Sequence, residues 1–323
     1  MPIFSSLPES SLILSRKRQL IQVLGAPSVT TSAGVDGYTW YTFDGANGGQ
    51  TSRDIYFSGE GYVDILLCAG GGGGGAVSSF NANRAGGGGG GGGNTIIKNL
   101  YVSNCTATIN VGGGAVASSG EGLSGYDSSL TGTFTGSFYV YGGGGGGYAS
   151  AGGSNAGNIG GFGGGSGWRG NSASSGHSSI LGGYLSLDIN YPTMPFDTIE
   201  NFYNSNYAYG SRSYAAGTGS TSSVYGGGGG GDTDSSLSSV VNGYAGRTFT
   251  AGTWGTDAVT ISMGGDGGRV VQSTPTSGAS GTGYGAGGGG RARQSTNTSS
   301  LSGNAGTSGV VIIRVNNSGK PSV

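Results

Sequence analysis

Asp64-Ile65-Leu66-Leu67-Cys68-Ala69 runs straight into Gly70–Gly75, and Gly86–Gly93 runs straight into Asn94-Thr95-Ile96-Ile97. How these two passages are read decides the fold. Aliphatic strand candidates feed polyglycine and emerge from it again. Two more runs of six follow, Gly142–Gly147 and Gly226–Gly231. Polyglycine has no side chain to bury and little helix propensity. It is either a flexible coil or an extended threefold helix of the polyproline II type, with three residues per turn and no internal hydrogen bonds. In the second form each bare backbone bonds to neighbouring segments. The four runs hold 26 glycines. Ordering glycine costs about 0.5–1 kcal/mol more than ordering alanine, so packing the runs costs an extra ~13–26 kcal/mol. Dense backbone hydrogen bonding and rigid flanking strands must offset that. The runs are interleaved with β-branched segments rather than placed between two domains, which favours the packed form over a linker.

Composition excludes several classes. Gly is 78 of 323 residues, but seven prolines and the lack of a strict Gly-x-y period argue against collagen. Charged residues are only 9%, against the usual charged disordered chain, and 10% aromatic residues supply a core. A formal net charge of −1 gives no general field for nucleic acid, and no nucleic-acid partner is expected. Cys68 and Cys105 are the only cysteines. Free buried thiols are favoured over a disulfide between neighbouring strands, with both readings open. No apolar run reaches the length of a membrane span. Leu12-Ile13-Leu14 is too short for a secretory core, and its charges follow rather than precede it. The expectation is a protein made in a cytoplasm that stays there or leaves as part of a particle.

Residues 1–36 differ from the rest. Ser10 or Ser11 caps a helix candidate over Leu12–Leu24, ended by Gly25 and Pro27, although Gln19–Leu24 also suits a strand. Arg16-Lys17-Arg18 concentrates basic charge there. Leu12, Arg16, Lys17, Arg18 and Leu20 form either a solvated face or a docking segment for a larger assembly. From Val35 the pattern is β, punctuated by Asp36-Gly37, Asp44-Gly45 and Asn47-Gly48. Strands are expected at Tyr38–Phe43, Asp54–Phe57, Tyr62–Ala69, Thr106–Val111, Phe138–Tyr141, Val259–Met263 and Val310–Val315. In Tyr62–Cys68, Val63, Ile65 and Leu67 share one face, and Leu66 and Cys68 are apolar on the other, so both faces should be covered. Ala107, Ile109 and Val111 point one way, as do Val311, Ile313 and Val315. Short strands separated by turns suggest an all-β two-sheet sandwich over residues 37–316, with 317–323 as a tail and the glycine runs as long insertions at strand ends.

Several passages carry a resemblance. Ile65-Leu66-Leu67-Cys68-Ala69-Gly70 enters polyglycine, and a second run leads to Ile96-Ile97. Ala107-Thr108-Ile109-Asn110-Val111-Gly112 follows, and Gly309-Val310-Val311-Ile312-Ile313-Arg314-Val315 closes the chain. Together they resemble the glycine-rich domain of bacteriophage fibre and tail proteins, over roughly residues 38–316. A similar arrangement occurs in the extracellular glycine-rich region of anaplastic lymphoma kinase, a jelly roll related to tumour necrosis factor with polyglycine helices packed on it. The resemblance implies a jelly-roll β-sandwich carrying packed polyglycine II helices. It also implies a homotrimer and a place in a virion.

Residues 184–214 interrupt the glycine-rich half. Tyr191-Pro192-Thr193-Met194-Pro195-Phe196 continues without glycine to Tyr203, and six of the 18 tyrosines fall in this window. It is either a small packed subdomain or an aromatic platform for a receptor sugar or protein. The residues expected to make such contacts are Tyr191, Tyr203, Tyr207 and Tyr209, with Trp168 as a further candidate; large rigid area with a hydroxyl suits tyrosine to that task. Catalytic and metal chemistry finds little support. His177 is the single histidine, too few for a zinc site with two separated cysteines. A serine triad rests on the same residue. Gly319-Lys320 is followed by Pro321 and is no phosphate loop. No enzyme activity, cofactor or metal is expected. The expectation is a virion protein of fibre or spike type that adsorbs to a host surface. A purely architectural decoration or connector protein is the first alternative, and an ice-binding or polysaccharide-cleaving protein comes well behind.

Overall fold

The structure is a computed structural model of the chain. It describes residues 21–32, 37–78, 83–133, 136–150, 156–169, 172–173, 183–187, 198–200, 223–232, 241–294 and 299–318. Strands β1 to β19 are numbered along the chain. The main antiparallel sheet has ten strands: β1 Gln22–Leu24, β2 Val29–Ser32, β3 Tyr38–Asp44, β4 Gln50–Cys68, β6 Asn94–Gly112, β7 Ser128–Gly132, β8 Gly136–Val140, β11 Gly183–Leu187, β12 Thr198–Glu200 and β19 Val310–Asn316. A four-stranded sheet joins β5 Arg84–Ala85, β9 Trp168–Arg169, β10 Ser172–Ala173 and β18 Ala292–Arg293. A three-stranded one joins β13 Ser223–Tyr225, β16 Arg269–Val271 and β17 Thr274–Thr276, and β14 Arg247–Phe249 forms a hairpin with β15 Val259–Ile261. No helix occurs among the described residues, so the chain is all-β.

β4 and β6 organise the sheet. Each has 19 residues, roughly 60 Å of strand, and they pair from Gln50↔Gly112 to Cys68↔Asn94. The sequence suggested two strands here, broken near Ser58-Gly59. The break is instead a bulge. Gly59 takes φ +97°, its N–H donates to Asn104 Oδ1 at 2.9 Å, and the ladder resumes at Glu60↔Ser103. A second irregularity follows at Asp64, whose Oδ1 accepts from the Asn99 N–H at 2.8 Å. The irregularities divide the sheet into two arms. In one, the order is β11-β8-β7-β6-β4-β1; in the other, β12-β6-β4-β19-β3-β2. Ile55, Phe57, Ala107, Ile109 and Phe138 of the first arm share one apolar cluster with Val63, Ile65, Leu67, Ile97 and Ile313 of the second.

The opposite face of the second arm carries Trp40, Leu66, Cys68, Ile96, Val310 and Ile312, covered by Phe249, Trp254 and Ile261 of the β14–β15 hairpin. Tyr62–Cys68 is therefore apolar on both faces, as its sequence implied. The second cover comes from the same chain, so this pattern carries no information about a trimer. Beside the hairpin, Arg314 donates to Asp64 Oδ2 from Nη2 at 2.6 Å and from Nε at 3.0 Å, and Nη1 reaches Thr253 O at 2.9 Å. Its guanidinium lies 4.4 Å from the Tyr38 ring centroid and 4.9 Å from that of Trp254.

Of the two N-terminal readings, helix or strand, the strand holds at Gln22–Leu24, which pairs with Tyr56–Ser58, and β2 pairs with β3. Both precede residue 37, so the sheet begins earlier than the boundary read from sequence. Ile21 and Val23 bury their side chains in the main core. The cysteines are free, at 0% and 8% exposure for Cys68 and Cys105, and no disulfide joins them.

The glycine runs form a packed layer continuous with both arms: β4, β6 and β19 of the second arm and β8 of the first run into it. Every N–H of Gly70–Gly75 and Gly86–Gly93 donates to a backbone carbonyl, at 2.7–3.0 Å. Partners repeat every third residue. Gly70, Gly73 and Ala76 donate to Tyr126, Leu123 and Gly120; Gly71, Gly74 and Val77 donate to Thr307, Asn304 and Leu301. Three is the period of the extended helix expected for polyglycine. Gly86–Gly93 lies at the centre. It donates to the segments 285–291, 141–147 and 227–230, and accepts from 69–75, 162–165 and 265–268. Six neighbours around one segment make a hexagonal array of backbones.

Candidate functional site

The array has two ends. At one, Cys68, Asn94, Val140, Ile261 and Val310 join it to the main sheet and its hairpin. At the other, β5, β9, β13, β16 and β18 begin or end the glycine segments, and Ala85, Trp168, Val224, Val270 and Ala292 form a separate small core. We call this end the distal cap. Eight residues at about 3.1 Å each give it a stand-off of roughly 25 Å.

The residues expected to contact a receptor or a particle lie mostly outside the described residues: Tyr191, Tyr203, Tyr207 and Tyr209, and Leu12, Arg16, Lys17, Arg18 and Leu20. His177 does too. The flanks of the tyrosine window are placed. Tyr184 is in β11, opposite Tyr139 of β8, and Thr198–Glu200 pairs with Ile96–Lys98. The window therefore starts on the main sheet, and the chain next appears in the cap at Ser223. Trp168 corrects the sequence reading. It is 5% exposed and packs in the cap core, so it offers no surface to a receptor.

The main sheet presents one feature that sequence reasoning did not single out. On the first arm, a groove of about 700 Å³ is lined by Leu24, Asp54, Tyr56, Thr106, Thr108 and Thr131, among others. Thr108 Oγ1 donates to Asp54 Oδ1 at 2.8 Å. Leu24 is 50% and Tyr56 37% exposed. The alternation of β4 and β6 that buries Ile55 and Ala107 turns these neighbouring residues outward. Threonine hydroxyls, one carboxylate and an exposed ring suit a neutral polyhydroxyl ligand. The threonines that alternate with Ala107 and Ile109 in β6 were the available signal.

Chemistry beyond binding is sparse. Among the described residues no group of three or more His, Cys, Asp or Glu side chains could hold a metal ion. The Cys68 thiol is pushed up to about 12 by burial, against a hydrogen-bonding contribution from Ser262 that lowers it. Burial also raises Cys105, and burial with the nearby Asp44 carboxylate raises Tyr284. These groups stay protonated and are poor nucleophiles at neutral pH.

An all-β chain whose backbone array is built from glycine defines a class of glycine-rich scaffold. Residues 49–316 match the family model described as a glycine-rich domain. The chain belongs to that family. No curated protein matches it.

Proposed function

We propose that this chain is a fibre- or spike-type structural protein of a bacteriophage-like virion, which holds its cap and loops toward a host surface. The observation that carries the reading is the fully hydrogen-bonded array around Gly86–Gly93. Such an array is a stiff spacer, of use where a contact must be held away from a base. On this reading residues 1–20, with Leu12, Arg16, Lys17, Arg18 and Leu20, dock the chain on the particle. The two arms correspond to the sheets of a jelly roll related to tumour necrosis factor, and three copies associate as such domains do. Tyr191, Tyr203, Tyr207 and Tyr209 supply host contacts, with a glycan as the target class. No catalysis is assigned.

The test is competition. A soluble chain of residues 21–323 should block adsorption of particles to host cells, and an antibody against it should label the particle exterior. A chain absent from purified particles would refute the reading. The burial of Trp168 favours a second reading, an architectural protein without a ligand. Particles that carry the chain, with no selective binding on a glycan array and no competition, would establish that one.

A further inference from the structure

Three arginines stand side by side in the distal cap. Arg84 of β5 pairs in register with Arg293 of β18 on one side and with Arg169 of β9 on the other. Like charges directly opposite each other destabilise a sheet. Arg84 is 0% and Arg293 1% exposed. Both send Nη1 to one place: Arg293 donates to Ser78 O at 2.5 Å, and Arg84 donates to the same carbonyl at 3.3 Å and to Ser78 Oγ. Two guanidinium groups thus converge on a single oxygen. With Nη1 engaged, Arg293 keeps Nε and Nη2 buried without an acceptor. These two atoms form one edge of the planar fork, with parallel N–H bonds that match two oxygens of an oxyanion. Among the described residues no carboxylate pairs with Arg293.

Burying a cation is costly unless it is paired and its donors are satisfied. Arginine does not escape that cost by losing its proton. We propose that the cap encloses a small tetrahedral oxyanion, phosphate or sulfate, gripped by the Nε–Nη2 edge of Arg293 beside Arg84. The enclosure of both side chains selects a small free ion over a group on a large target. The ion would complete the cap as a structural component, so the inference stands apart from any role in host adsorption.

The test uses the full chain exchanged into chloride buffer. Thermal melts are compared in sodium phosphate, sodium sulfate and sodium chloride at matched ionic strength. Phosphate or sulfate should raise Tm by several degrees over chloride, with saturation, as expected for a ligand that binds only the folded state. Arg293→Met should abolish the rise. Arg291→Gln should retain it, because Arg291 lies outside the enclosed pair and donates to Ser302 O. If Arg293→Met does not fold, the wild-type chain is denatured and the released ion assayed; a stoichiometric amount of phosphate or sulfate supports the site. An equal rise in Arg293→Met overturns the proposal, as do identical melts in all three salts with no ion released.

Discussion

A Cβ built on Gly89 lies 2.6 Å from the carbonyl carbon of Gly72 and closer still to its oxygen. A Cβ on Gly49 meets nothing within 4 Å. The pair separates packing from chain entropy. Gly89→Ala must push two backbones apart and should lose about 3 kcal/mol or more, a fall in Tm of roughly 6–12 °C. Gly49→Ala should stay within about 1 kcal/mol of wild type, on the stabilising side, because alanine restricts the unfolded chain. Thermal melts of the two variants check this. Cys68 gives a second prediction at this scale. Its folded thiol titrates near 12, and its ordinary value is 9.0. Between those values the unfolded chain gives up a proton that the folded chain keeps. Stability should therefore fall as pH rises from about 9 toward 12, and this group should contribute no pH dependence below that window. In native protein at pH 8, Cys68 should resist a thiol reagent that labels it at once after unfolding. Denaturant titrations against pH and timed labelling read the two effects. The buried thiols were legible in sequence from their place in apolar strands. The collision at Gly89 was legible only in kind, since a residue without a side chain does not say which carbonyl lies against it.

The strands were the readable part of the molecule, and the alternation of Ala107, Ile109 and Val111 or of Val311, Ile313 and Val315 is why. Each set falls on one face and in one core, as found. The bulge at Gly59 was not readable, because Ser58-Gly59-Glu60-Gly61 has the composition of a turn and only the partner strand, through Asn104, keeps it in register. β1 was legible only as one of two options over Gln19–Leu24, helix or strand, and pairing with β4 decides between them. Two predictions follow from these elements. Removing residues 1–20 should leave the fold intact, whereas removing 1–36 deletes β1 and β2 and the burial of Ile21 and Val23. The second truncation should lose about 3–6 kcal/mol, at roughly 1.5–3 kcal/mol per side chain; denaturant midpoints and solubility distinguish them. Asp64→Asn takes one partner from a pair whose side chains are 3% and 10% exposed for Asp64 and Arg314. It should cost about 3–5 kcal/mol. The double variant Asp64→Asn/Arg314→Met should recover part of that loss in a double-mutant cycle.

At the scale of the whole molecule, the array explains glycines that looked incidental. Gly303 and Gly306 would each place a Cβ on a carbonyl of the first run, at Gly74 and Gly71, and Gly309 on that of Cys68 at the end of β4. Gly122 and Gly125 do the same at Gly73 and Gly70. Glycine at every third position marks the inward side of an outer segment, while Leu123 and Tyr126 beside it stand exposed. That spacing was present in the sequence but hidden by abundance, since many glycine spacings occur by chance in a chain with 78 of them. The long runs announced an array, but its neighbours were set elsewhere, by the strands that launch each segment from the main sheet. The central claim is that Gly86–Gly93 is a fixed, fully hydrogen-bonded core rather than a linker. Native-state hydrogen exchange tests it most directly, because it reads the amide bonds themselves. The amides of Gly86–Gly93 should be protected to the same degree as those of Ile65–Cys68 in the main sheet, and exchange only with global unfolding. Exchange of the glycine amides at the rate of an unstructured peptide, with Ile65–Cys68 still protected, would contradict the account.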